Sequence, residues 1–104
     1  MKTILFTILF SVLVFSVGAE KPSAACTLKG IRLYGKVQVV TFHEDLKVRT
    51  VPVGEDLKIR YVSFNPHECG QWQKVGVFPD FKIKYVPVGE DLKIREVPVG
   101  EGLN

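Results

Sequence analysis

The chain has 104 residues, of which 46% are hydrophobic and 24% are charged, and its formal net charge is +3. Without the basic residue at position 2, thirteen basic side chains stand against eleven acidic ones, so net charge gives no sign of a nucleic-acid partner. The length is enough for one small domain after an N-terminal extension.

The first nineteen residues predict a secretory signal peptide. Lys2 precedes an uncharged, mostly apolar run from Thr3 to Ala19, which ends in the small residues that a signal peptidase accepts. We expect a signal helix over 1–19, cleavage before Glu20 and a secreted or periplasmic protein. The alternative is a retained membrane anchor, although a spanning helix needs roughly 20 apolar residues.

Two cysteines lie in the exported part, Cys26 in a linker over 20–27 and Cys69 inside a domain over 28–104. A core of this size is marginal by itself, and an oxidising compartment lets cysteines pair. A bridge would close a loop of roughly 44 residues and add about 4 kcal/mol in the chain-entropy model. The alternative is a metal site that also uses His43 and His67, but its spacing is not one that zinc sites favour. We predict a disulfide, no metal site and no cofactor.

An eleven-residue repeat fills most of the domain. The sequence VPVGEDLKIR occurs unchanged at 51–60 and 86–95, and VPVGE begins again at Val97. Within each unit, apolar and basic residues alternate as in a half-buried strand. Proline, glycine and acidic residues then predict a turn, and a shift of phase between Val48 and Val51 predicts a bulge or bend. No stretch has a helical period, so we predict an all-β fold.

The segment Ser63–Lys74 interrupts the repeat and holds the second cysteine and the single tryptophan. The two identical decapeptides lie on either side of it. The chain is therefore predicted to consist of two comparable arms joined by this central segment. A β-solenoid and a small barrel or sandwich are competing folds for such a repeat.

Three motifs resemble the septoil-knot family of small exported bacterial β domains: LYGKVQVV at 33–40, Cys69-Gly70 followed by Trp72-Gln73, and Phe78–Ile83. The resemblance covers Leu28 to Leu103. It implies a β-rich chain whose two arms wind into a seven-crossing torus knot. The biochemical function of that family is largely unassigned, so the resemblance implies no catalytic residue.

Neighbouring carboxylates recur in the predicted turns. Such pairs act as acid and base in glycosidases, but residues copied along a repeat are more typical of architecture. The sequence has no phosphate loop and no nucleophile motif, so we predict that the protein is not an enzyme. A small hydrolase stays the alternative, and it would need four side chains in one pocket. These are His43, Glu44, His67 and Glu68.

The possible binding face combines the basic residues of the strands with three aromatic residues. It consists of Lys47, Arg49, Lys58, Arg60, Lys82, Lys84, Lys93, Arg95, Tyr61, Tyr85 and Trp72. On neighbouring strands, the basic groups could hold an envelope polyanion, but the acidic turns could also neutralise them in cross-strand pairs, which we favour. We expect a monomeric, non-catalytic domain with a structural or binding role that does not span a membrane. A polyanion- or envelope-binding module is the alternative.

Overall fold

The structure is a computed structural model that describes residues 20–104; the predicted signal helix over 1–19 lies outside the described residues. Residues 20–104 contain strands, turns and irregular segments, and no helix in this range could cross a membrane. The all-β prediction is confirmed for this part of the chain. The strands are β1 (Thr27–Leu28), β2 (Ile31–Arg32), β3 (Gly35–Val39), β4 (Leu46–Thr50), β5 (Leu57–Tyr61), β6 (Gln71–Lys74), β7 (Phe81–Tyr85), β8 (Leu92–Glu96) and β9 (Gly102–Leu103).

Six parallel strands close into a barrel. Their order is β6-β3-β7-β4-β8-β5, and pairing between β5 and β6 completes the ring. The register is staggered: the last three residues of β3 lie beside the first three of β7, and the last three of β7 lie beside the first three of β4. Such a stagger tilts the strands and allows few of them to close a barrel. Outside the ring, β1 and β2 form an antiparallel hairpin, and β9 runs antiparallel to the start of β5.

Strands of the two arms alternate around this barrel. The first arm supplies β3, β4 and β5, the second supplies β6, β7 and β8, and each strand lies between two strands of the other arm. Every parallel ladder of the barrel therefore joins one arm to the other. This differs from a β-solenoid, in which each strand stacks on its own successor. Neither arm can pair its backbone or bury its apolar residues without the other.

The turns pass over strands of the other arm. The backbone N–H of Val51 donates to Ile94 O and that of Asp56 donates to Lys93 O, so the turn 51–56 begins on one side of β8 and ends on the other. By the same bonds, the turn 40–45 lies over β7, 75–80 over β3, 86–91 over β4 and 97–101 over β5. Of the predicted bulge or bend between Val48 and Val51, the structure has the bend, because the strand ends at Thr50 and the chain leaves the sheet there.

The barrel interior is filled by the first and third residues of the strands. They are buried almost completely: Val37, Leu46, Val48, Leu57, Ile59, Phe81, Ile83, Leu92 and Ile94. Trp72 occupies the corresponding place in β6, packs edge-on against Phe81 and donates its indole N–H to Leu33 O at 3.1 Å. Leu28, Leu33 and Cys26 pack against this core near the N-terminal hairpin. The fifth residue of each long strand lies at the C-terminal mouth of the barrel, where exposure rises.

Candidate functional site

Three arginines on the outer face are each bound by a glutamate from a turn of the other arm. The pairs are Arg49–Glu90, Arg60–Glu101 and Arg95–Glu55. The first two are bidentate, with N–O distances of 2.9 and 3.1 Å in each. Hydrogen bonds from the arginines hold the pKa of all three glutamates below the ordinary value. These arginines are therefore neutralised within the molecule.

The lysines of the predicted binding face divide into two groups. Lys47 lies 4.0 Å from Glu44, and Lys58 lies 3.8 Å from Glu55. Within residues 20–104, no carboxylate lies within 4.0 Å of the ammonium groups of Lys82, Lys84 or Lys93. Five of the eight basic residues thus have an acidic neighbour, and the eight do not form one uninterrupted cationic sheet.

Four turn aspartates each hold a strand of the other arm by two hydrogen bonds. The backbone N–H of Asp91 donates to Lys47 O at 2.7 Å, and its Oδ2 accepts from Lys47 N at 2.8 Å. Burial raises the pKa of Asp91, but hydrogen bonds from Lys29 and Lys47 outweigh it and leave the pKa below the ordinary value. The same two bonds join Asp45 to Lys82, Asp56 to Lys93 and Asp80 to Lys36.

The candidate acid–base residues lie in two different turns. His43 and Glu44 belong to the turn over β7, whereas His67 and Glu68 lie in the loop 62–70 beside β6, and β3 separates these two strands. His67 Nε2 lies 3.7 Å from Glu68 Oε2, and its Nδ1 lies 2.9 Å from the backbone oxygen of Asn65. The four side chains are therefore not brought together in one pocket.

The two cysteines form a disulfide, which confirms the predicted pairing. The Cα atoms of Cys26 and Cys69 are 5.9 Å apart, and the bridge ties the N-terminal hairpin to the loop before β6. The thiols are consequently not available to the alternative metal site with His43 and His67. In the described part of the chain, no group of three or more His, Cys, Asp or Glu residues could hold a metal ion.

Tyr61 and Tyr85 meet at the C-terminal mouth of the barrel. Their hydroxyl oxygens are 2.6 Å apart, although β5 and β7 lie on opposite sides of the ring. The Lys74 ammonium lies 4.5 Å from the centroid of the Tyr61 ring, and burial together with the hydrogen bond raises the pKa of Tyr61. Trp72, predicted as a third member of this patch, is fully buried. That placement corrects the prediction, because the indole is needed to fill the centre of the barrel.

An open cleft of about 430 Å³ lies between β5 and the loop 62–70. Its lining includes Tyr61, Phe64, His67 and Gln71. The side-chain oxygen of Gln71 already accepts hydrogen bonds from the backbone N–H groups of His67 and Glu68. The cleft can receive a small polar group but holds no pair of acid and base.

Every turn also exposes an apolar side chain, a feature that the sequence reasoning missed. The third residues of the six turns are Phe42, Val53, Phe64, Val77, Val88 and Val99, and each is between 66% and 78% exposed. The fourth residues have positive φ, and they are His43, Gly54, Asn65, Phe78, Gly89 and Gly100. The repeated VPVG carried this signal, since its second valine recurs at a turn where packing inside the domain does not require it.

A family model described as the 7(1) septoil knot domain matches residues 30–101. The match begins just before β2 and ends in the turn after β8, so it includes all six strands of the barrel. No curated protein matches the chain.

Proposed function

The chain belongs to the septoil knot family, and from this premise we propose that it is an exported, non-catalytic binding domain whose two arms are wound into a knotted barrel. Two features of the fold support the winding. The arms alternate strand by strand around the barrel, and each arm's turns pass over strands of the other arm. A chain built by simple stacking of consecutive coils would show neither feature.

The engagement of the acidic residues supports the non-catalytic role most directly. Four aspartates hold backbone groups of the other arm, and three glutamates bind arginines. A general acid or base needs a carboxyl group that can reach a substrate proton. These groups instead connect the two arms, and the two histidines lie in separate turns. The exposed turn residues and the barrel mouth are left as surfaces for binding.

Export is supported by the disulfide together with the predicted signal peptide. Disulfides persist in oxidising compartments such as the periplasm and the extracellular space, and the Cys26–Cys69 bridge is compatible with either location. The proposal places the binding partner outside the cytoplasm, at the cell envelope or beyond it.

Fractionation of cells that express the full chain tests the proposal. We expect a chain that begins at Glu20 in the exported fraction, with both cysteines unreactive to a maleimide until a reductant is added. The purified oxidised protein should co-sediment with isolated cell envelopes and reach saturation. Retention of the uncleaved chain inside the cell, or the absence of saturable envelope binding, would contradict the proposal.

The knotted winding needs a test of its own. The reduced protein can be unfolded by pulling on its two ends in an optical trap. An open chain reaches about 3.3–3.6 Å per residue, whereas a tightened knot keeps the ends closer together. We expect the shorter length, and full extension would show that the two arms are not knotted.

A further inference from the structure

The six turns form a ring around the barrel, and this ring has two unlike sides. Because each turn lies against one strand, the order of the strands also gives the order of the turns. Phe64, Phe78 and Phe42 lie in the turns that pass over the adjacent strands β6, β3 and β7. Val88, Val53 and Val99 lie in the turns that pass over the adjacent strands β4, β8 and β5. We call these the aromatic side and the valine side.

The charges of the two sides differ as well. All three Arg–Glu pairs lie on the valine side, since their arginines belong to β4, β5 and β8. On the aromatic side, Lys36, Lys82 and Lys84 have no carboxylate within 4.0 Å of their ammonium groups among residues 20–104. Four acids lie on this side: Glu68 is next to His67, and Glu44 lies 4.0 Å from Lys47 of β4, while the other two are aspartates. The carboxylates of Asp45 and Asp80 accept hydrogen bonds from backbone N–H groups.

The backbone at Phe78 adds an independent observation. Phe78 has a φ of 54° and is 88% exposed, whereas three of the six turns have glycine at the same position. A bulky residue is rare in the left-handed region because its Cβ crowds the backbone. Packing within the domain does not compensate for this strain at so exposed a side chain. Residues kept in strained conformations are concentrated at functional sites.

We infer that the aromatic side docks on the surface of an anionic lipid bilayer. Phenylalanine rings on separate turn tips can enter the interfacial region of the bilayer, and unpaired lysines beside them attract anionic headgroups. Apolar tips separated by polar residues fit a fluid surface better than a protein partner, which requires a continuous packed patch. The turn 75–80 lies between the other two aromatic turns, so Phe78 enters deepest. The inference rests on the proposed function, since it names the partner of the exported domain.

Vesicle flotation with the oxidised chain from Glu20 onward tests the inference. The probes are vesicles of phosphatidylcholine alone and of phosphatidylcholine mixed with phosphatidylglycerol. We expect binding to the mixed vesicles, weakened by salt because the lysine attraction is screened. The variant Phe78→Gly should bind about tenfold more weakly, since it loses a large apolar side chain but gains an unstrained turn. The matched variant Val88→Ser, on the valine side, should bind like the unchanged protein.

A second variant tests the charge. Replacing Lys36, Lys82 and Lys84 by glutamine should weaken binding to the mixed vesicles and reduce its dependence on salt. Equal binding to the two kinds of vesicle, or equal losses in Phe78→Gly and Val88→Ser, would overturn the inference. Envelope binding that depends on Phe78 without any vesicle binding would identify a different partner and overturn the lipid inference, while the proposed function would stand. If the unchanged protein bound neither vesicles nor isolated envelopes, the proposed function itself would be refuted.

Discussion

At the residue scale, hydrogen bonds lower the pKa of the three glutamates that bind arginines. Hydrogen bonds from Arg60, and then from Gln71, lower the pKa of Glu101 from 4.5 to about 2. A carboxyl group whose pKa is lower in the folded protein stabilises the fold above its unfolded pKa, and this contribution is lost as pH falls through the folded value. The other two paired glutamates, Glu55 and Glu90, shift in the same direction.

We therefore expect the free energy of unfolding to decrease as pH falls from about 4.5 to about 2. The variant Glu101→Gln should lose roughly 1 kcal/mol at neutral pH, since the pair is partly exposed and screened, and should show a smaller decrease in acid. Urea unfolding at a series of pH values measures both effects. Glu68→Gln is the control, because this exposed carboxylate makes an ion pair with His67 and acts on Arg60 only through a weaker charge interaction, without a hydrogen bond. An acid decrease of the same size in Glu101→Gln and the unchanged protein would contradict the prediction.

Phe78 allows a second prediction at this scale. Glycine at this position removes the left-handed strain, so Phe78→Gly should raise the free energy of unfolding by about 1 kcal/mol. Urea unfolding measures the change, with Val77→Ala as an exposed neighbour that should have little effect. A less stable Phe78→Gly variant would show that the ring contributes to the fold. A more stable variant that binds poorly would show that the phenylalanine is kept for binding.

At the scale of elements, each strand is held by the other arm. The two identical decapeptides illustrate this, because the turn of the first lies over the strand of the second. Asp56 binds the backbone of Lys93, and Glu55 binds the side chain of Arg95. The turn of the second decapeptide lies over β4 in the same way. The same ten-residue sequence thus forms a turn in one arm and, in the other arm, the strand beneath that turn.

Close approach between elements can be tested at two glycines. A Cβ on Gly70 would lie 2.4 Å from Lys58 O and 2.8 Å from Gly102 N, whereas one on Gly54 would have no atom within 4 Å. Both residues have positive φ, so both alanine variants carry the left-handed penalty of about 1 kcal/mol. Gly70→Ala should lose roughly 2 kcal/mol more than Gly54→Ala, as judged by urea unfolding. Equal losses would mean that β5 and β9 can move apart at little cost.

At the scale of the whole molecule, the disulfide closes a covalent loop that includes the whole first arm. Cys26 and Cys69 are 43 residues apart, and the loop contains β3, β4 and β5. Strands β7 and β8 of the second arm lie between those strands in the barrel. The bridge therefore restricts the path by which the second arm can separate from the first.

Removing the bridge should lower the free energy of unfolding substantially. The chain-entropy model gives about 4 kcal/mol for a loop of this length, so the variant Cys26→Ser/Cys69→Ser should lose roughly that amount. Equilibrium unfolding in urea measures the loss. A reductant should destabilise the unchanged protein to the same extent and should not affect the double variant. Unchanged stability in the double variant would contradict this prediction.

The sequence predicted the repeated strands but not which strands pair. The period-two alternation in Leu57–Arg60 marks a strand because the pleat places successive side chains on opposite faces. Trp72 was misplaced because its segment lacks the repeat, and so nothing local marks which of its faces is buried. The tyrosine pair at the barrel mouth also depends on strand order, since Tyr61 and Tyr85 lie on opposite strands of the ring.

By itself, the sequence determined the all-β class, the two arms and the turns, because these follow from local periodicity and turn chemistry, and it predicted the cysteine pair from the expectation of export. Only the tertiary structure decided which strands pair, which charges are neutralised and which turns share a side. Identical decapeptides have identical local preferences, so the choice of neighbour depends on how the strands of the two arms alternate around the barrel. That alternation places the turns of Phe42, Phe64 and Phe78 over adjacent strands, although the three residues are distant in the sequence.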